Sequence, residues 1–180
     1  MPGKMPDKMM EEAYFAGGCF WCMEKPYHLI EGVISAESGY SGGKETAPTY
    51  EAVKRQETGH RETVKIVFDP RVISFDELLH VYFASIDPFD DDGQFIDRGH
   101  SYTCAVYCTG AEQRKTVEEA IGKIEADYRK KVCVSVEDFA FFVRAEEYHQ
   151  DYASKNEEAY RTEYEVSGRA AVTEEDRVKY

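Results

Sequence analysis

Two cysteines three positions apart, Cys19 and Cys22, are the residues of this chain whose type and spacing best fit covalent chemistry. They follow a short apolar stretch, residues 13 to 16, and two glycines, Gly17 and Gly18. This order predicts a strand, a tight turn and a helix that begins at Cys19. A thiol at a helix N-terminus lies near unpaired backbone N–H groups, which favour its thiolate form. The sequence therefore predicts that Cys19 is a nucleophile.

Cys22 follows one helical turn after Cys19, within reach of any group that forms on it. A free cysteine titrates near about 8.5, and a Cys-x-x-Cys setting at a helix start lowers that pKa by roughly one to several units. Two other interpretations stay open at this point: the thiols could pack in a core helix, or they could form half of a metal site. A structural zinc site needs four ligands, and no second Cys-x-x-Cys and no His-x-x-x-His occurs in the sequence, so zinc is disfavoured.

The composition is typical of one globular domain. A chain of 180 residues with 42% hydrophobic residues can build one core and is short for two. Its net charge of −13 disfavours nucleic acid and anionic membranes as partners. We expect residues 1 to 11, which lack the apolar stretch of a signal peptide, to be a flexible tail, and residues 12 to 180 to form the domain. Five cysteines, an odd number, favour the reducing cytoplasm.

The elements that must position the cysteines alternate between strand and helix, which predicts a mixed sheet covered by helices. The clearest helix start is a capping box at Ser74 and Glu77. Beyond Glu137 the chain is acidic and aromatic, and we expect one helix near Glu147 to Tyr160 with ordered coil around it. The predicted strands are residues 13–16, 33–38, 63–68, 102–108 and 132–136, and the predicted helices begin at Cys19, Ser74 and Ala111.

A thiolate that removes an oxygen atom needs an acid and hydrogen-bond donors nearby. Glu62 begins an alternating strand next to a glycine-rich loop, where a partly buried carboxyl could keep its proton near neutral pH. Tyr50 and Tyr102 could donate phenolic hydrogen bonds. Because the chain has thirteen tyrosines and many glutamates, spacing alone does not select these three residues.

Several segments, in order along the chain, resemble the signatures of the peptide methionine sulfoxide reductases of the A class. They are GGCFWCMEKPY, GYSGG, APTYEAV, TGHRETVKIVFDP, IDP, GQFIDRGHSY and EEYHQDY, between about Ala13 and about Ala170. The resemblance implies an α/β (α+β) fold, a two-layer sandwich around a mixed sheet in a ferredoxin-like plait, with long coil at the C-terminus. It also implies that the chain reduces methionine S-sulfoxide, free or in proteins, to methionine.

The resemblance also implies roles for residues at matching positions. Cys19 is then the nucleophile, Glu62 protonates the sulfoxide oxygen, and Phe20 and Trp21 wall an apolar slot for the substrate methyl. The other matching positions are Tyr50 and Tyr102, which resemble hydroxyl donors, and Asp97, which resembles a polar residue of the same cleft.

Two departures from the family pattern concern the resolving thiol. Many members carry cysteines in the C-terminal tail, whereas this chain has none after Cys133, and Cys22 stands where many members have glycine. We therefore predict that Cys22 converts the sulfenic acid of Cys19 to a disulfide, with an external thiol as the alternative. Thioredoxin or a similar dithiol would reduce that disulfide. Cys104, Cys108 and Cys133 are expected to be packing thiols.

Two rival functions remain at this stage. A general thiol-disulfide oxidoreductase would also use Cys19 and Cys22 after a strand, although the Phe-Trp pair between them and the lack of an evident downstream proline strand weaken that reading. A metal-binding or interaction module that uses the acidic C-terminal region is the non-enzymatic alternative. For the reductase we expect no cofactor and a monomer.

Overall fold

A six-stranded mixed sheet organises the computed structural model, which describes residues 9 to 180. The strands of this sheet are β1 (Glu11–Gly17), β2 (Val33–Ser41), β3 (Arg61–Phe68), β6 (Cys104–Cys108), β7 (Val134–Asp138) and β8 (Phe142–Arg144), and a separate hairpin contains β4 (Gly93–Gln94) and β5 (Asp97–Arg98). The helices are α1 (Phe20–Glu24), α2 (Tyr50–Lys54), α3 (Phe75–Ser85), α4 (Ala111–Tyr128), α5 (Tyr152–Lys155) and α6 (Glu157–Ser167).

The sheet has the order β7-β6-β1-β3-β2-β8. Its inner four strands, β6, β1, β3 and β2, are antiparallel to one another, with α1 between β1 and β2 and α3 between β3 and β6 in the chain. That connectivity is the ferredoxin-like plait, and the parallel pairing of β7 with β6 makes the sheet mixed. The predicted fold class is confirmed.

The core lies between one face of the sheet and the helices. Val64, Ile66 and Phe68 of β3 are fully buried, as their alternation predicts. The capping box of α3 is formed as predicted, because the Ser74 side chain accepts from the Glu77 backbone N–H and the Glu77 carboxylate accepts from that of Ser74. A smaller cluster on the other face of the sheet packs strand residues against Phe139 and Phe142.

The C-terminal region differs from the prediction of one helix near 147 to 160 with coil around it. It contains two helices, α5 and α6, and the longer one, α6, extends beyond residue 160. The chain cannot run helically through Asp151, which has φ of 50°, and α6 begins only at Glu157. The reason is tertiary: the Gln150 side chain bonds both backbone groups of Ser38, and the Asp151 N–H donates to the Glu24 carboxylate. These long-range contacts override the local helical pattern.

Two boundaries near the N-terminus also differ from expectation. Most of the predicted tail lies outside the described residues, and Glu11, which we assigned to it, begins β1. The first helix is short, because α1 gives way to a 3₁₀ helix, Lys25–Leu29, that contains Pro26. Leu29, the last residue of that 3₁₀ helix, is 84% exposed. Among residues 9 to 180 the structure has no helix long and apolar enough to cross a membrane.

Candidate active site

The turn between β1 and α1 places Cys19 at the start of the helix, as predicted. Gly18 has φ of +87°, and a Cβ there would lie 2.7 Å from the guanidinium of Arg169. The turn therefore needs glycine for its conformation and for the space below it. The Cys19 carbonyl accepts the backbone N–H groups of Cys22 and Met23, at 3.1 and 3.2 Å, which fixes the two thiols on one face of the helix.

Cys19 is partly exposed at a cleft of about 140 Å³. The cleft collects the site residues predicted from the sequence, with the exception of Phe20, although they come from α1, α2, β3, β5 and the 3₁₀ turn before β6. The predicted residues that line it are Cys19, Trp21, Cys22, Tyr50, Glu62, Asp97 and Tyr102, and Lys54, Ile96, Glu163 and Ser167 complete the wall.

Phe20 does not form the wall predicted for it. Its side chain is fully buried behind the cleft, with ring centroids 6.1 Å from Tyr50 and 6.3 Å from Trp21. The Phe20 ring packs against the rings of Tyr40, Tyr50 and His149, so it supports the cleft from behind. Its backbone N–H, however, donates to the Glu62 carboxyl at 3.2 Å.

Glu62 has the environment of a protonated acid. It is 2% exposed, and burial raises its pKa to about 8, although the Phe20 N–H and the Tyr102 hydroxyl act in the opposite direction. One carboxyl oxygen accepts from Phe20, whereas Oε2 has no hydrogen-bond partner among the described residues. A buried oxygen without a partner is costly, so a ligand in the cleft that forms a hydrogen bond with Oε2 would relieve that cost.

Tyr50 and Tyr102 keep their phenolic protons. Burial and the charge of Glu62 raise the pKa of both hydroxyls far above the ordinary value. Asp97 lies at the same cleft on β5, and burial raises its pKa while the charge of Arg169 lowers it. The cleft therefore offers two phenolic donors and two carboxyls of weakened acidity to a polar oxygen.

The two thiols form a coupled pair, and here the sequence-based expectation needs correction. The pKa of Cys22 is lowered by the hydrogen bond from Cys19 and by the charge of Arg169. The pKa of Cys19 is raised well above the ordinary value by that hydrogen bond and by burial. The predicted low pKa therefore belongs to the pair, with Cys22 as the acceptor of the shared proton, rather than to Cys19 alone.

Arg169 is a site residue that the sequence did not reveal. It is 5% exposed, and its guanidinium donates to the Gly17 carbonyl at 2.8 Å and to the Ser85 carbonyl at 3.1 Å. Its charge lowers the pKa of both Cys19 and Cys22. Since α1 has only five residues, this buried cation supplies the positive potential that we had expected from the helix dipole. No local pattern marks it, because it follows α6, far along the chain.

His149 and Tyr152 were also missed, although the EEYHQDY segment contains both. Trp21 Nε1 donates to His149 Nδ1 at 3.0 Å, and the Trp21 ring stacks on Tyr152 with centroids 3.9 Å apart. Burial lowers the pKa of His149, which keeps the ring neutral and able to accept from Trp21. The indole that faces the cleft is thus held on both its edge and its face.

The other three cysteines lie away from the cleft. Cys104 and Cys108 are in the core of β6, and burial raises their pKa values to about 12 and about 11. Cys133 differs from the expected packing thiol because it is only partly buried, just before β7, but burial raises its pKa as well. Among residues 9 to 180 no group of three or more His, Cys, Asp or Glu side chains could hold a metal ion.

Comparison with known proteins gives one consistent family. The sequence profile of the family described as "Peptide methionine sulfoxide reductase" matches residues 11–179. A protein named peptide methionine sulfoxide reductase MsrA from Bacillus pumilus (strain SAFR-032) is 47% identical over 166 residues, which cover 91% of this chain and 93% of that protein.

Two solved structures share the fold. Mxr1 from Saccharomyces cerevisiae in reduced form has a TM-score of 0.80 at 26% identity, and the match covers 86% of this chain and 90% of the yeast chain. Methionine sulfoxide reductase A of Corynebacterium diphtheriae has a TM-score of 0.76 at 29% identity, with 87% of this chain and 78% of that chain covered.

Proposed function

Because this chain belongs to the peptide methionine sulfoxide reductase family, and so is an oxidoreductase that reduces methionine sulfoxide with thiols, we propose that Cys19 is its nucleophile and Glu62 its general acid. The observation that carries this assignment is their placement: a partly exposed thiol and a buried carboxyl with a pKa of about 8 and an unpartnered oxygen line one small cleft. At neutral pH that carboxyl is mostly protonated.

In the first step the Cys19 thiolate attacks the sulfur of the sulfoxide. This thiolate forms when the Cys19 proton passes to Cys22 along the hydrogen bond between the thiols, and Arg169 stabilises the negative charge of the pair. Glu62 donates its proton to the sulfoxide oxygen while Tyr50 and Tyr102 hydrogen-bond to it. The attack forms a bond between the Cys19 sulfur and the substrate sulfur; the protonated oxygen then moves from the substrate sulfur to the Cys19 sulfur, the bond between the two sulfurs breaks, methionine leaves, and Cys19 is left as a sulfenic acid.

Substrate selection lies in the wall that Trp21 forms. The methyl group of the sulfoxide packs on the indole, which His149 and Tyr152 hold in place, and an apolar methyl is favoured there over a charged group. With the methyl on this side and the oxygen towards Glu62, the third substituent must leave by the open side. This fixed arrangement favours one epimer, the S-sulfoxide, free or in a protein.

In the second step Cys22 attacks the Cys19 sulfur. A sulfur–sulfur bond forms, and the hydroxyl of the sulfenic acid leaves as water with the proton of the pair. Cys22 is 8% exposed and already hydrogen-bonded to Cys19, so this step needs little movement. Cys104 and Cys108, with raised pKa values in the core, are poor competitors.

The disulfide is then reduced by a dithiol of the thioredoxin class. Support comes from yeast Mxr1, which has been solved in complex with Trx2. This chain is 19% identical to Mxr1 in that complex, so the similarity between the two structures is one of fold. We place the enzyme in the reducing cytoplasm, acting as a monomer without cofactor, because the proposed cycle needs reduced thiols and residues of one chain only.

Turnover on the two separated epimers of methionine sulfoxide, with the wild type and Cys19→Ser, tests the proposal. We expect the wild type to consume the S epimer and Cys19→Ser to consume neither. Cys133→Ser, which removes a thiol outside the cleft, is the matched control and should keep full activity. Turnover by Cys19→Ser would contradict the assignment of the nucleophile.

A further inference from the structure

Cys22 lines a second cavity that the reaction above does not use. This cavity has a volume of about 290 Å³ and lies between the 3₁₀ helix after α1, the end of α3 and the region from α6 to the C-terminus. Of the residues described here, Cys22 alone contributes to both the cleft and this cavity, and Cys19 does not reach the cavity. The sulfur of Cys22 can therefore be approached from a side where substrate does not bind.

The lining of this cavity has a charge opposite to that of the rest of the chain. Three cations, Lys25, Arg169 and Arg177, line it, and none of its lining residues is a carboxylate, although the chain has a net charge of −13. The cleft on the other side of Cys22 is instead lined by three carboxyls, of Glu62, Asp97 and Glu163, and by one lysine, Lys54. The two approaches to the thiol pair thus differ in electrostatic sign.

The cations of the cavity are only partly used by the protein itself. Arg169 has no carboxylate within 4 Å among the described residues, and its buried Nε has no hydrogen-bond partner there. The ammonium of Lys25 lies 4.8 Å over the ring of Tyr160, at the exposed rim. Arg177 contacts Glu174 at 3.2 Å, but that carboxylate is 82% exposed and points to solvent. Once Cys19 and Cys22 are joined as a disulfide, the pair no longer carries the negative charge that Arg169 stabilises, and this buried cation can then bind another anion.

We infer that this cavity binds a small anionic thiol, which reduces the Cys19–Cys22 disulfide by attack on Cys22. The inference rests on the proposed function, because that cycle produces the disulfide. A first thiolate forms a bond to the Cys22 sulfur and breaks the Cys19–Cys22 bond, which leaves Cys19 as a thiolate. A second thiolate then attacks the sulfur of the thiol that is bound to Cys22. The two small thiols leave as one disulfide, and Cys22 is released as a thiolate. Two thiols are oxidised and the enzyme gains two electrons.

Attack from this side also restores the catalytic residue first. The leaving group is the Cys19 thiolate, which returns to the cleft while the reductant is still bound to Cys22. Arg169, whose guanidinium contacts the Gly17 carbonyl before the turn, lies close enough to favour both the incoming anion and the departing thiolate.

Three thiols with the same two-carbon skeleton test this inference: 2-mercaptoethanesulfonate, 2-mercaptoethanol and cysteamine, which are anionic, neutral and cationic. The enzyme is first oxidised with one equivalent of sulfoxide, and methionine release in that step is measured separately. We then compare the rate of disulfide reduction per thiolate at low salt. The inference predicts that the rate with the anionic thiol saturates with thiol concentration and is roughly tenfold higher than the rate with the neutral thiol. The negative net charge of the protein alone would favour the opposite order. Equal rates, or a preference for cysteamine, would overturn it.

A charge reversal at the rim makes the test local. Lys25→Glu should lower the rate with 2-mercaptoethanesulfonate about 3- to 10-fold and raise that with cysteamine. Lys115→Glu, at an exposed lysine of α4 outside the cavity, is the matched control and should change neither rate. If both variants behave alike, only the overall charge matters and the inference fails. Methionine release in the first turnover should be normal in both, so a defect there would instead count against the proposed function.

The position of the adduct gives a second readout. After oxidised enzyme is mixed with limiting 2-mercaptoethanesulfonate and quenched with acid, peptide mapping should locate the mixed disulfide on Cys22. An adduct on Cys19 would mean that the thiol enters by the cleft, and it would overturn the inference.

Discussion

Two pairs of cysteines lie side by side in this fold and have opposite chemical character. Cys19 and Cys22 follow the end of β1, and Cys104 on β6 is the register partner of Gly17, two residues before Cys19. The charge of Arg169 acts to lower the pKa of Cys19, Cys22 and Cys104 alike, yet only the pKa of Cys22 is lowered overall, and burial raises that of Cys104 to about 12. A nearby cation is therefore not sufficient for reactivity.

What separates the pairs is the partner of each sulfur and the space in front of it. Cys22 has a second thiol as hydrogen-bond donor and two cavities beside it, whereas Cys104 interacts with the hydroxyl of Tyr82 inside the core. We therefore expect Cys19 and Cys22 to be reactive because of their hydrogen bond and their access to the cavities, and Cys104 and Cys108 to be inert in the core.

The largest effect is expected from removing the second thiol of the reactive pair. Cys22→Ser should still release one methionine per enzyme in a single turnover, because Cys19 is intact, but multiple turnover with thioredoxin should be abolished. Methionine release measured with and without the reductant checks this. If multiple turnover with thioredoxin persists unchanged, then Cys22 has no part in the cycle.

Removing the acid should be the next largest effect. Glu62→Gln should lower the rate of the first turnover roughly 10²- to 10⁴-fold, because the sulfoxide oxygen then leaves without a proton. In the wild type the same rate should fall as the pH rises through about 8, where Glu62 loses its proton, and this limb should be absent in the variant. An unchanged alkaline limb in Glu62→Gln would assign it to another group.

Glu62 also gives a stability test with a definite sign. Its pKa is raised from 4.5 to about 8 in the folded protein, so between these values the folded state binds one proton more than the unfolded state. The free energy of unfolding should therefore fall by about 1.4 kcal/mol for each pH unit of increase in this window, as far as Glu62 contributes. In denaturant unfolding, Glu62→Gln should lack this pH dependence of the free energy of unfolding. Glu57→Gln, a change at an exposed glutamate, should retain it.

Arg169, whose charge acts on Cys19, Cys22 and Cys104, allows a sharper comparison. Arg169→Met should raise the pKa of the Cys19–Cys22 pair and slow alkylation by iodoacetamide at neutral pH about tenfold or more, since one pKa unit changes the thiolate fraction tenfold. Arg169→Lys should restore part of that reactivity, because it keeps the charge. If Arg169→Met lost rate only through misfolding, its pH profile of alkylation would not be shifted and Arg169→Lys would not recover the rate.

The smallest effect on activity is expected from the inert pair. Cys104→Ala and Cys108→Ala should leave turnover unchanged and lower the free energy of unfolding by about 1 to 2 kcal/mol each, because buried sulfur atoms are lost from the core. Turnover and denaturant unfolding measured on the same samples would separate the two effects. A loss of turnover at full stability would place one of these thiols in the cycle.

The fold followed from local patterns wherever tertiary contacts agree with them. The alternation of Val64, Ile66 and Phe68 and the capping box at Ser74 gave the correct elements at the correct positions. The pattern after Glu146 misled, because Gln150 and Asp151 are held by Ser38 and Glu24 from the other end of the chain. Such contacts leave no periodic signal in the sequence.

The site was accessible to sequence reasoning only in part. The start of α1 and its two thiols followed from spacing, whereas Glu62, Tyr50 and Tyr102 were selected by the family resemblance. The burial of the Phe20 ring behind the cleft and the hydrogen bond between the two thiols depend on differences of a few ångströms, which the sequence does not encode locally. Arg169 depends on how the last segments fold back under the turn, which no motif announces.

The most direct test of the central claim is to locate the disulfide after one turnover. Reduced enzyme is treated with one equivalent of methionine S-sulfoxide, quenched, and analysed by thiol counting and peptide mapping. Our account predicts that the five free thiols fall to three and that Cys19 is joined to Cys22. A disulfide that includes Cys104, Cys108 or Cys133, or methionine release with all five thiols still free, would contradict it.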